Sequence, residues 1–513
     1  MPELRVNVRT HHFVVRDITL RARPAILEFR GYYHQYEPSR GRYSSGESAV
    51  MCTYGTRTQD WREFRWHINQ LPHFMEVLKK HYLEGPLVEI VTDPLPTFPK
   101  IELPIFEKWQ PRDYQLPVLK FMNEVPPPPF PQDYKAAKLV SIQTGKGKSF
   151  CGMNSMSHHG HRAAVIIRPM FMDKWLEDIV KTFDIDKKDI LVVQGGKALM
   201  TLLHMARDGD LHAKVIIISN KTFQNYLKMY ELHHDGLEEQ GYVIPPDQFF
   251  EALGIGYRLI DEVHLDFHLN FKIDLYTHGP VSISLSATLT SNDGFMERMY
   301  SIAYPQTVRY EGEAYHKYVN ARALIYGLER PDRIRYKNGG MYSHNVFEQS
   351  ILKYAKTTHN YLDMFKSVVD IDFLPDARKG DRILVFCASI DMCTVVTNYL
   401  KGKYPDLDVR RYVEKDPYEN AMEPDIIVST LLSAGTGLDI PNLRVVFMST
   451  SMMSKSGNIQ GMGRLRYIDG VTLKFVYSTC QDIPKQMAYH EEKKVLLKDR
   501  AKTYRADYYR IPI

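Results

Sequence analysis

Residues 138–152 read KLVSIQTGKGKSFCG, an apolar run followed by two glycines and two lysines within five positions. The apolar run predicts a strand, and the residues after the lysines predict the start of a helix. Glycines 145 and 147 allow backbone N–H groups to converge on phosphate oxygens. The strict P-loop pattern requires a glycine where Ile142 stands. Taken alone, the stretch predicts either a phosphate-binding turn or a flexible basic turn.

The chain around this stretch alternates short apolar strands with helical segments. The strand-like segments in its first half are KLVSIQ, AAVIIRP, ILVVQ, KVIIISN, YRLIDEVHL and SISLSAT. After an irregular stretch at about 300–380, the same texture returns in RILVFCAS, DVRRYV, DIIVST, RVVFMST and LKFVYST. Strands that alternate with helices predict a parallel sheet covered on both faces. We therefore predict an α/β protein with two lobes in tandem.

Four regions follow from composition along the chain. Residues 1–105 mix alternating strand patterns with one amphipathic helix, and the proline-rich DPLPTFPKIELP ends them. They predict a small α+β N-terminal accessory domain. Lobe one is predicted at 106–310 and lobe two at 311–483, and a helical, basic tail is expected at 484–513. Arginines and tyrosines interleave in RGYYHQYEPSRGRY at 30–43, which indicates either contact with a duplex or branch point or a solvated loop.

Composition bounds the function only loosely. The 513 residues carry a net charge of +5, and 44% hydrophobic and 25% charged residues are ordinary for a globular protein. Five scattered cysteines without a CxxC pair favour a reducing compartment and argue against a thiolate zinc site. No apolar run reaches about 18 residues, so no membrane span is expected. We expect an intracellular protein; the family resemblance described below implies the cytoplasm (host cytoplasm if viral), association with the nucleoid, and a monomer or weak oligomer.

The candidate chemistry is ATP hydrolysis with Mg²⁺. Lys148 would reach the β- and γ-phosphates, and the Ser149 hydroxyl would hold Mg²⁺. Asp261 and Glu262 follow the apolar strand YRLI directly, and buried carboxylates need partners. Asp261 could complete the Mg²⁺ shell, and Glu262 could orient or deprotonate the attacking water. A strand-end acidic turn is the structural alternative.

Two further motifs indicate that the nucleotide drives movement. Ser286 and Thr288 end another strand, where small hydroxyl side chains could couple the nucleotide to motion. Arg464 and Arg466 stand beside a glycine turn in the second lobe. An arginine donated to the γ-phosphate would make catalysis depend on lobe closure. A solvated basic turn is the alternative for this motif alone.

The order of these motifs resembles that of the superfamily 2 helicases over residues 110–480. Arg112-Asp113-Tyr114-Gln115 resembles the Q motif, TGKGKS motif I, DEVH motif II of the DEAH/DECH type, and SAT motif III. AAVIIRPMFMDKW resembles motif Ia, and IIISNKTFQNYL resembles motif Ib. In the second lobe, ILVFCASIDMCTVV resembles motif IV, DIIVSTLLSAGTGLDIPN motif V, and QGMGRLR motif VI. The N-terminal extension and overall size are similar to the UvsW-like phage recombination-repair helicases.

The resemblance implies roles for individual residues. Those implied to bind ATP are Gln115, Thr144, Gly145, Lys146, Gly147, Lys148, Ser149, Gly437 and Asp439. Those implied in catalysis are Lys148, Asp261, Glu262, Gln460, Arg464 and Arg466, with Ser149 and Asp261 on Mg²⁺. Those implied to hold nucleic acid are Arg168, Thr222, Ser389 and Thr430, and Ser286 and Thr288 are implied in coupling. The family's second motif VI arginine would fall at Tyr467, so the role of Arg466 is open.

The sequence therefore predicts an ATP hydrolase of the superfamily 2 DNA helicase class. Its expected activity is to remodel or branch-migrate branched DNA in replication, recombination or repair. Expected partners are single-stranded, forked or branched DNA, bound through phosphates without sequence preference. An RNA helicase is one alternative. An ATP-switched annealing or clamp protein without processive unwinding is another.

Overall fold

A computed structural model gives the structure of the protein. It describes residues 1–36, 50–125, 137–142, 146–233, 236–286, 289, 293–312, 317–414, 416–434, 440–452, 455–468 and 470–513. The chain divides into two compact units, Met1–Glu313 and Ala314–Ile513.

The first unit begins with a five-stranded mixed sheet, a separate two-stranded hairpin and two helices. The strands are β1 (Leu4–Val8), β2 (His12–Arg16), β3 (His34–Tyr36), β4 (Val50–Thr53), β5 (Thr56–Arg57), β6 (Phe64–His67) and β7 (Val88–Thr92). The helices are α1 (Arg23–Gly31) and α2 (Leu71–Lys80). The sheet order is β5-β6-β2-β1-β7, with only the β1–β7 pair parallel, and β3 pairs with β4. This is the predicted small α+β domain.

The rest of the first unit is a seven-stranded parallel sheet in the order β10-β11-β9-β12-β13-β8-β14. Its strands are β8 (Ala137–Ser141), β9 (Arg162–Ile167), β10 (Ile190–Val193), β11 (Val215–Ser219), β12 (Ile255–Ile260), β13 (Val281–Ser286) and β14 (Arg309–Glu311). Its helices are α3 (Leu116–Asn123), α4 (Lys148–His159), α5 (Met172–Thr182), α6 (Gly196–Asp208), α7 (Asn220–Leu232), α8 (Phe249–Ala252), α9 (Phe267–Asp274) and α10 (Gly294–Ala303). Strands β11, β12 and β13 are buried along their whole length, although β12 contains Arg258 and β13 alternates apolar residues with serines.

The N-terminal sheet and the parallel sheet belong to one core. A single apolar cluster joins side chains such as Phe13 and Trp66 to Tyr226 and Phe271. Polar contacts cross the same boundary: Thr56 donates to Glu231 at 2.8 Å, and His12 Nδ1 lies 3.1 Å from the Thr277 carbonyl. The accessory domain therefore packs on lobe one as part of the same compact unit.

The second unit has its own seven-stranded parallel sheet, ordered β19-β20-β18-β21-β22-β15-β23. Its strands are β15 (Val319–Tyr326), β16 (Lys337–Asn338), β17 (Met341–Tyr342), β18 (Arg382–Cys387), β19 (Val409–Tyr412), β20 (Ile426–Thr430), β21 (Leu443–Met448), β22 (Leu473–Cys480) and β23 (Thr503–Tyr508), with β16 and β17 forming a separate hairpin. Its helices are α11 (His344–Ile351), α12 (Ala355–Val368), α13 (Ile390–Lys403), α14 (Glu419–Met422), α15 (Leu431–Ala434), α16 (Lys455–Met462) and α17 (Pro484–Arg500). The predicted fold, an α+β domain followed in sequence by two RecA-like lobes, is confirmed.

The C-terminal tail differs from its prediction. It is helical only as far as Arg500, and Thr503–Tyr508 adds a parallel edge strand to β15. The pairing covers backbone groups of β15 that would otherwise form a bare sheet edge. Among the described residues, none of the helices has both the length and the apolar composition that crossing a membrane requires.

Candidate functional site

The predicted site residues of the first unit lie at one edge of its parallel sheet. All seven strands run in the same direction, so their carboxyl ends meet at that edge, where ligands bind in open α/β sheets. The predicted phosphate-binding turn follows β8, Asp261 follows β12, and Arg168 follows β9. Asn220 follows β11 and Ser286 ends β13. The fold thus brings together segments more than a hundred residues apart.

The turn into α4 requires a glycine at 147. Gly147 has φ +77° and caps α4, whose first residue is Lys148. A Cβ on Gly147 would lie 2.4 Å from the Gln115 Nε2, so a side chain here would meet both an unfavourable dihedral angle and a close approach that displaces Gln115. Ile142, which breaks the strict P-loop pattern, is buried in the core. Thr144 and Gly145 lie outside the described residues.

Gln115 braces this turn from a preceding short helix. It is 4% exposed, its Oε1 accepts the Arg112 N–H at 2.9 Å, and its Nε2 donates to the Lys146 carbonyl at 3.0 Å. The Lys146 ammonium lies 4.8 Å from the centre of the Tyr114 ring. Gln115, which the family resemblance implies in ATP binding, is therefore also a structural partner of the predicted phosphate-binding turn.

Asp261 and Glu262 lie beside Lys148. The Lys148 Nζ is 3.5 Å from the Glu262 Oε1. Asp261 is oriented by two donors, the Trp175 indole N–H at 3.0 Å and the Glu262 backbone N–H at 2.9 Å. Burial, together with the neighbouring Glu262 carboxylate, raises the pKa of Asp261. Trp175 thus fixes the orientation of the acid that is predicted to bind the metal.

The donor set suits Mg²⁺ held mainly by a nucleotide. Among the described residues, no group of three or more histidine, cysteine, aspartate or glutamate side chains could hold a metal ion by itself. Mg²⁺ is commonly bound by one or two carboxylates, water and substrate phosphates. Asp261 supplies such a carboxylate, and a cation beside it would favour its ionised form. Ser149, in the first turn of α4, is half-buried and supplies a hydroxyl.

The acidic pair is connected to β13 through His264. The Glu262 Oε2 is 3.4 Å from the His264 Nδ1, which lies 2.9 Å from the Ser286 hydroxyl. Burial lowers the pKa of His264. Ser286 is fully buried, and its predicted partner Thr288 lies outside the described residues. This chain of contacts joins the DEVH segment to the SAT segment.

Arg168 is engaged by a residue that the sequence analysis did not single out. Its Nε and Nη2 donate to the two carboxylate oxygens of Asp266 at 2.6 and 2.8 Å, and Asn220 donates to the same carboxylate at 2.9 Å. The sequence signal that could have indicated this contact is that Asp266 is an acidic residue five positions after Asp261. Thr222 is buried, and its hydroxyl accepts the Gly195 N–H at 2.7 Å.

In the second unit, Ser389 and Thr430 line a cavity of about 710 Å³ at the carboxyl ends of β18 and β20. Ser389 caps α13 and donates its hydroxyl to the buried Glu348 at 2.8 Å. The Thr430 hydroxyl donates to Ser433 at 3.0 Å. Tyr342 lies on the same cavity wall and comes from the hairpin before α11.

The motif VI arginines follow α16. Arg464 is 7% exposed, and its backbone N–H donates to the Gly461 carbonyl at 3.3 Å. The Arg466 Nη1 donates to the Gly463 carbonyl at 3.4 Å. Gln460 lies in α16, but its side chain is not described. Gly437 and Asp439 lie outside the described residues. The catalytic and ATP-binding roles of these residues stay predictions.

Comparison with known proteins gives structural matches only. No protein-family model matches the chain, and no curated protein does. The crystal structure of T4 UvsW is 12% identical, covers 99% of each chain and has a TM-score of 0.34. The Pyrococcus furiosus Hef helicase domain is 13% identical over 74% of this chain and 98% of that chain, with a TM-score of 0.44. Mss116p bound to ssRNA and AMP-PNP is 14% identical over 77% of this chain and 74% of that chain, with a TM-score of 0.47.

T4 UvsW, to whose group the sequence analysis predicted a similarity, is among these matches. Because the identities and TM-scores are low, the matches say nothing about which residues of this chain do chemistry.

Proposed function

We propose that the protein is an ATP-dependent translocase of the superfamily 2 type that remodels branched DNA. The observation that carries the proposal is the cluster of Lys148, Asp261 and Glu262 at one edge of a parallel sheet. A lysine at the start of a helix, a carboxylate fixed by an indole, and a second carboxylate 3.5 Å from the lysine form the set that phosphoryl transfer needs.

Each residue of the set has a distinct task. Lys148 and the N-terminus of α4 would hold the β- and γ-phosphates, since backbone N–H groups and the helix dipole both favour anions there. Asp261 and Ser149 would hold Mg²⁺, which would supply charge neutralisation on the phosphate oxygens. Glu262 would orient the attacking water and accept its proton. Gln115 would contact adenine while it braces the turn.

The second unit would supply the remaining groups. We propose Arg464 as the arginine that stabilises charge on the γ-phosphate during transfer, a role that raises turnover rather than ATP affinity. Gln460, Arg466, Gly437 and Asp439 are proposed to support the same reaction. The wide cavity with Ser389 and Thr430 is proposed to contact the nucleic-acid backbone.

The proposal names DNA rather than RNA because the sequence resembles the UvsW-like recombination-repair helicases. Branched DNA as the substrate, action in recombination or repair, and a location at the nucleoid are parts of this proposal. RNA is the second candidate, because Mss116p, one of the structural matches, is bound to ssRNA.

The test is an ATPase panel over single-stranded, duplex, forked and four-way DNA and matched RNA. Lys148→Ala should lower hydrolysis at least roughly a hundredfold while nucleic-acid binding persists. Lys187→Ala, which removes an equal charge at an exposed position of the same lobe, serves as the control. Normal hydrolysis by the Lys148 variant would refute the ATPase assignment. Stimulation by RNA alone would replace DNA as the substrate.

A further inference from the structure

Asp266 accepts hydrogen bonds from Arg168, the side chain that is predicted to hold a backbone phosphate. It lies at the start of α9 and accepts three hydrogen bonds from Arg168 and Asn220. These donors come from the ends of β9 and β11, two neighbouring strands. Asp266 comes from the loop after β12, which lies on the other side of β9. The carboxylate thus takes up the donors that the sheet edge presents.

An arginine fork binds a carboxylate and a phosphate with the same geometry. Both anions offer two oxygens to parallel N–H groups, and Arg168 already makes both bonds to Asp266. The pair is also reachable from solvent: the Arg168 side chain is 33% exposed and that of Asp266 37%. It faces a cavity of about 540 Å³, which Lys221 and Gln224 also line. A nucleic-acid phosphate can therefore compete with Asp266 for Arg168.

The same loop carries the predicted catalytic base. Glu262 and Asp266 both adopt positive φ angles, +49° and +70°, which are unfavourable for residues other than glycine. Between them, Val263 is held by its N–H to the Leu285 carbonyl at 3.0 Å and by its carbonyl to the Asn270 side chain at 2.9 Å. Two unfavourable backbone conformations in one short loop persist only where contacts hold them. The contact from Arg168 is one of these.

We propose that Asp266 is a positioning residue that links nucleic-acid binding to ATP hydrolysis. At rest, its carboxylate holds Arg168 and keeps the Asp261–Asp266 loop in its strained form. A backbone phosphate takes Arg168 from Asp266, and the released loop lets Glu262 take its place beside the attacking water. The inference rests on the proposed function, because it explains how nucleic acid would stimulate hydrolysis.

The experiment compares Asp266→Asn with the wild type in nucleic-acid affinity and in ATPase rate with and without single-stranded DNA. The amide removes the charge that competes with phosphate. Affinity should rise by roughly 1.4-fold to fivefold, the range that corresponds to an exposed ion pair. The rate without DNA should rise, so the stimulation ratio falls. Asp266→Glu restores the carboxylate and should return the nucleic-acid affinity and the stimulation ratio toward the wild-type values.

Two further variants separate this role from a general effect of charge or stability. Asp173→Asn removes an exposed carboxylate from the first turn of α5 and should change neither the affinity nor the stimulation ratio. Arg168→Ala should weaken DNA binding, and adding Asp266→Asn to it should bring no further change in affinity. If Asp266→Asn does not fold, Arg168→Lys tests the same point, because it keeps the charge and loses the fork.

The outcomes are distinct. A folded Asp266→Asn variant with wild-type affinity and a wild-type stimulation ratio overturns the proposal, as does additivity in the double variant. If wild-type hydrolysis responds to neither DNA nor RNA, the proposed function itself fails, whatever the variants do.

Discussion

Glu348 accepts hydrogen bonds from both the backbone N–H and the hydroxyl of Ser389, each at 2.8 Å. It also accepts the Ala388 N–H at 2.8 Å, so it caps the N-terminus of α13 from a fully buried position. Burial raises the pKa of Glu348 to about 7, although these donors favour its charged form. His344, one helical turn earlier, lies 3.8 Å away, and burial lowers its pKa to about 3.

These two groups should give the second unit opposite pH dependences. Native Glu348 keeps a proton that the unfolded chain loses above pH 4.5, so its contribution to the free energy of unfolding falls from pH 4.5 to about 7. Unfolded His344 binds a proton below pH 6.5 that the native state rejects, so its contribution rises from about pH 3 to 6.5. Each slope is at most about 1.4 kcal/mol per pH unit. They oppose each other between pH 4.5 and 6.5.

Single substitutions should separate the slopes. In urea titrations between pH 4.5 and 6.5, His344→Gln should leave stability that falls as pH rises, and Glu348→Gln should leave stability that rises. Two variants with parallel curves would show that the pair does not titrate in this way.

Trp175→Phe should impair hydrolysis without unfolding lobe one. Phenylalanine keeps most of the buried ring but loses the indole N–H that holds Asp261 at 3.0 Å. Loss of a partner behind a metal ligand typically costs roughly 10–100-fold in activity or metal affinity. We expect a Mg²⁺ titration of the ATPase rate to shift to higher concentration. Trp109→Phe is the control, since the Trp109 N–H donates only to the Lys181 carbonyl. Equal Mg²⁺ curves for both variants would contradict the assigned role of Trp175.

Gly147→Ala should abolish ATP binding. Its Cβ would lie 2.4 Å from the Gln115 Nε2, and its φ of +77° costs a residue with a side chain about 1–2 kcal/mol. Gly209→Ala is the matched control, because Gly209 has φ +83° with open space around its Cβ position. Binding of a fluorescent ATP analogue should be lost in the first variant and kept in the second. Retention in both would show that the turn tolerates a side chain.

The fold could be predicted from the sequence because burial leaves a direct trace. Strands covered on both faces are mostly apolar, as in VIIIS at Val215–Ser219, and such runs allowed both parallel sheets to be predicted. Lys148 and Asp261 each come soon after a predicted strand, and the sequence analysis assigned both to ATP hydrolysis. Side-chain contacts between distant segments leave no such trace. Neither the bond from Trp175 to Asp261 nor the fork from Arg168 to Asp266 follows from composition or spacing.

The C-terminal tail shows a second limit of prediction from sequence. Residues 484–500 have helical composition, and the basic, tyrosine-rich residues after them gave no strong signal of their own. The strand at Thr503–Tyr508 forms because β15 offers a partner edge. Such pairing depends on tertiary context more than on local propensity.

Ser286→Ala should separate hydrolysis from movement. The Ser286 hydroxyl lies 2.9 Å from the His264 Nδ1, and that histidine is next to Glu262. One hydrogen bond contributes about 1 kcal/mol, so strand displacement should slow by roughly fivefold. ATP hydrolysis should persist, because no group that contacts phosphate is removed. A fork-displacement assay run beside an ATPase assay measures both. A proportional loss of both activities would rule out a coupling role.

Arg65→Met should destabilise the junction between the N-terminal sheet and lobe one. Arg65 is 1% exposed, pairs with Glu63 at 2.5 Å and Asp247 at 3.3 Å, and lies 4.8 Å from the Tyr276 ring centre. Burial alone would raise the pKa of Glu63, but Arg65 and Arg16 hold it below its usual value. Methionine fills similar space and leaves Glu63 and Asp247 without this cation, a change that typically costs about 3–5 kcal/mol.

Arg62→Met provides the comparison for that substitution. Arg62 pairs with Asp60 at 3.1 Å, but its side chain is 86% exposed, and an exposed pair contributes at most about 1 kcal/mol. Urea unfolding should therefore separate the two variants by at least roughly 2 kcal/mol. Limited proteolysis should cut the Arg65 variant first near residues 93–105, where the chain leaves the N-terminal sheet. Equal stability of the two variants would mean that the buried arginine does not hold the junction together.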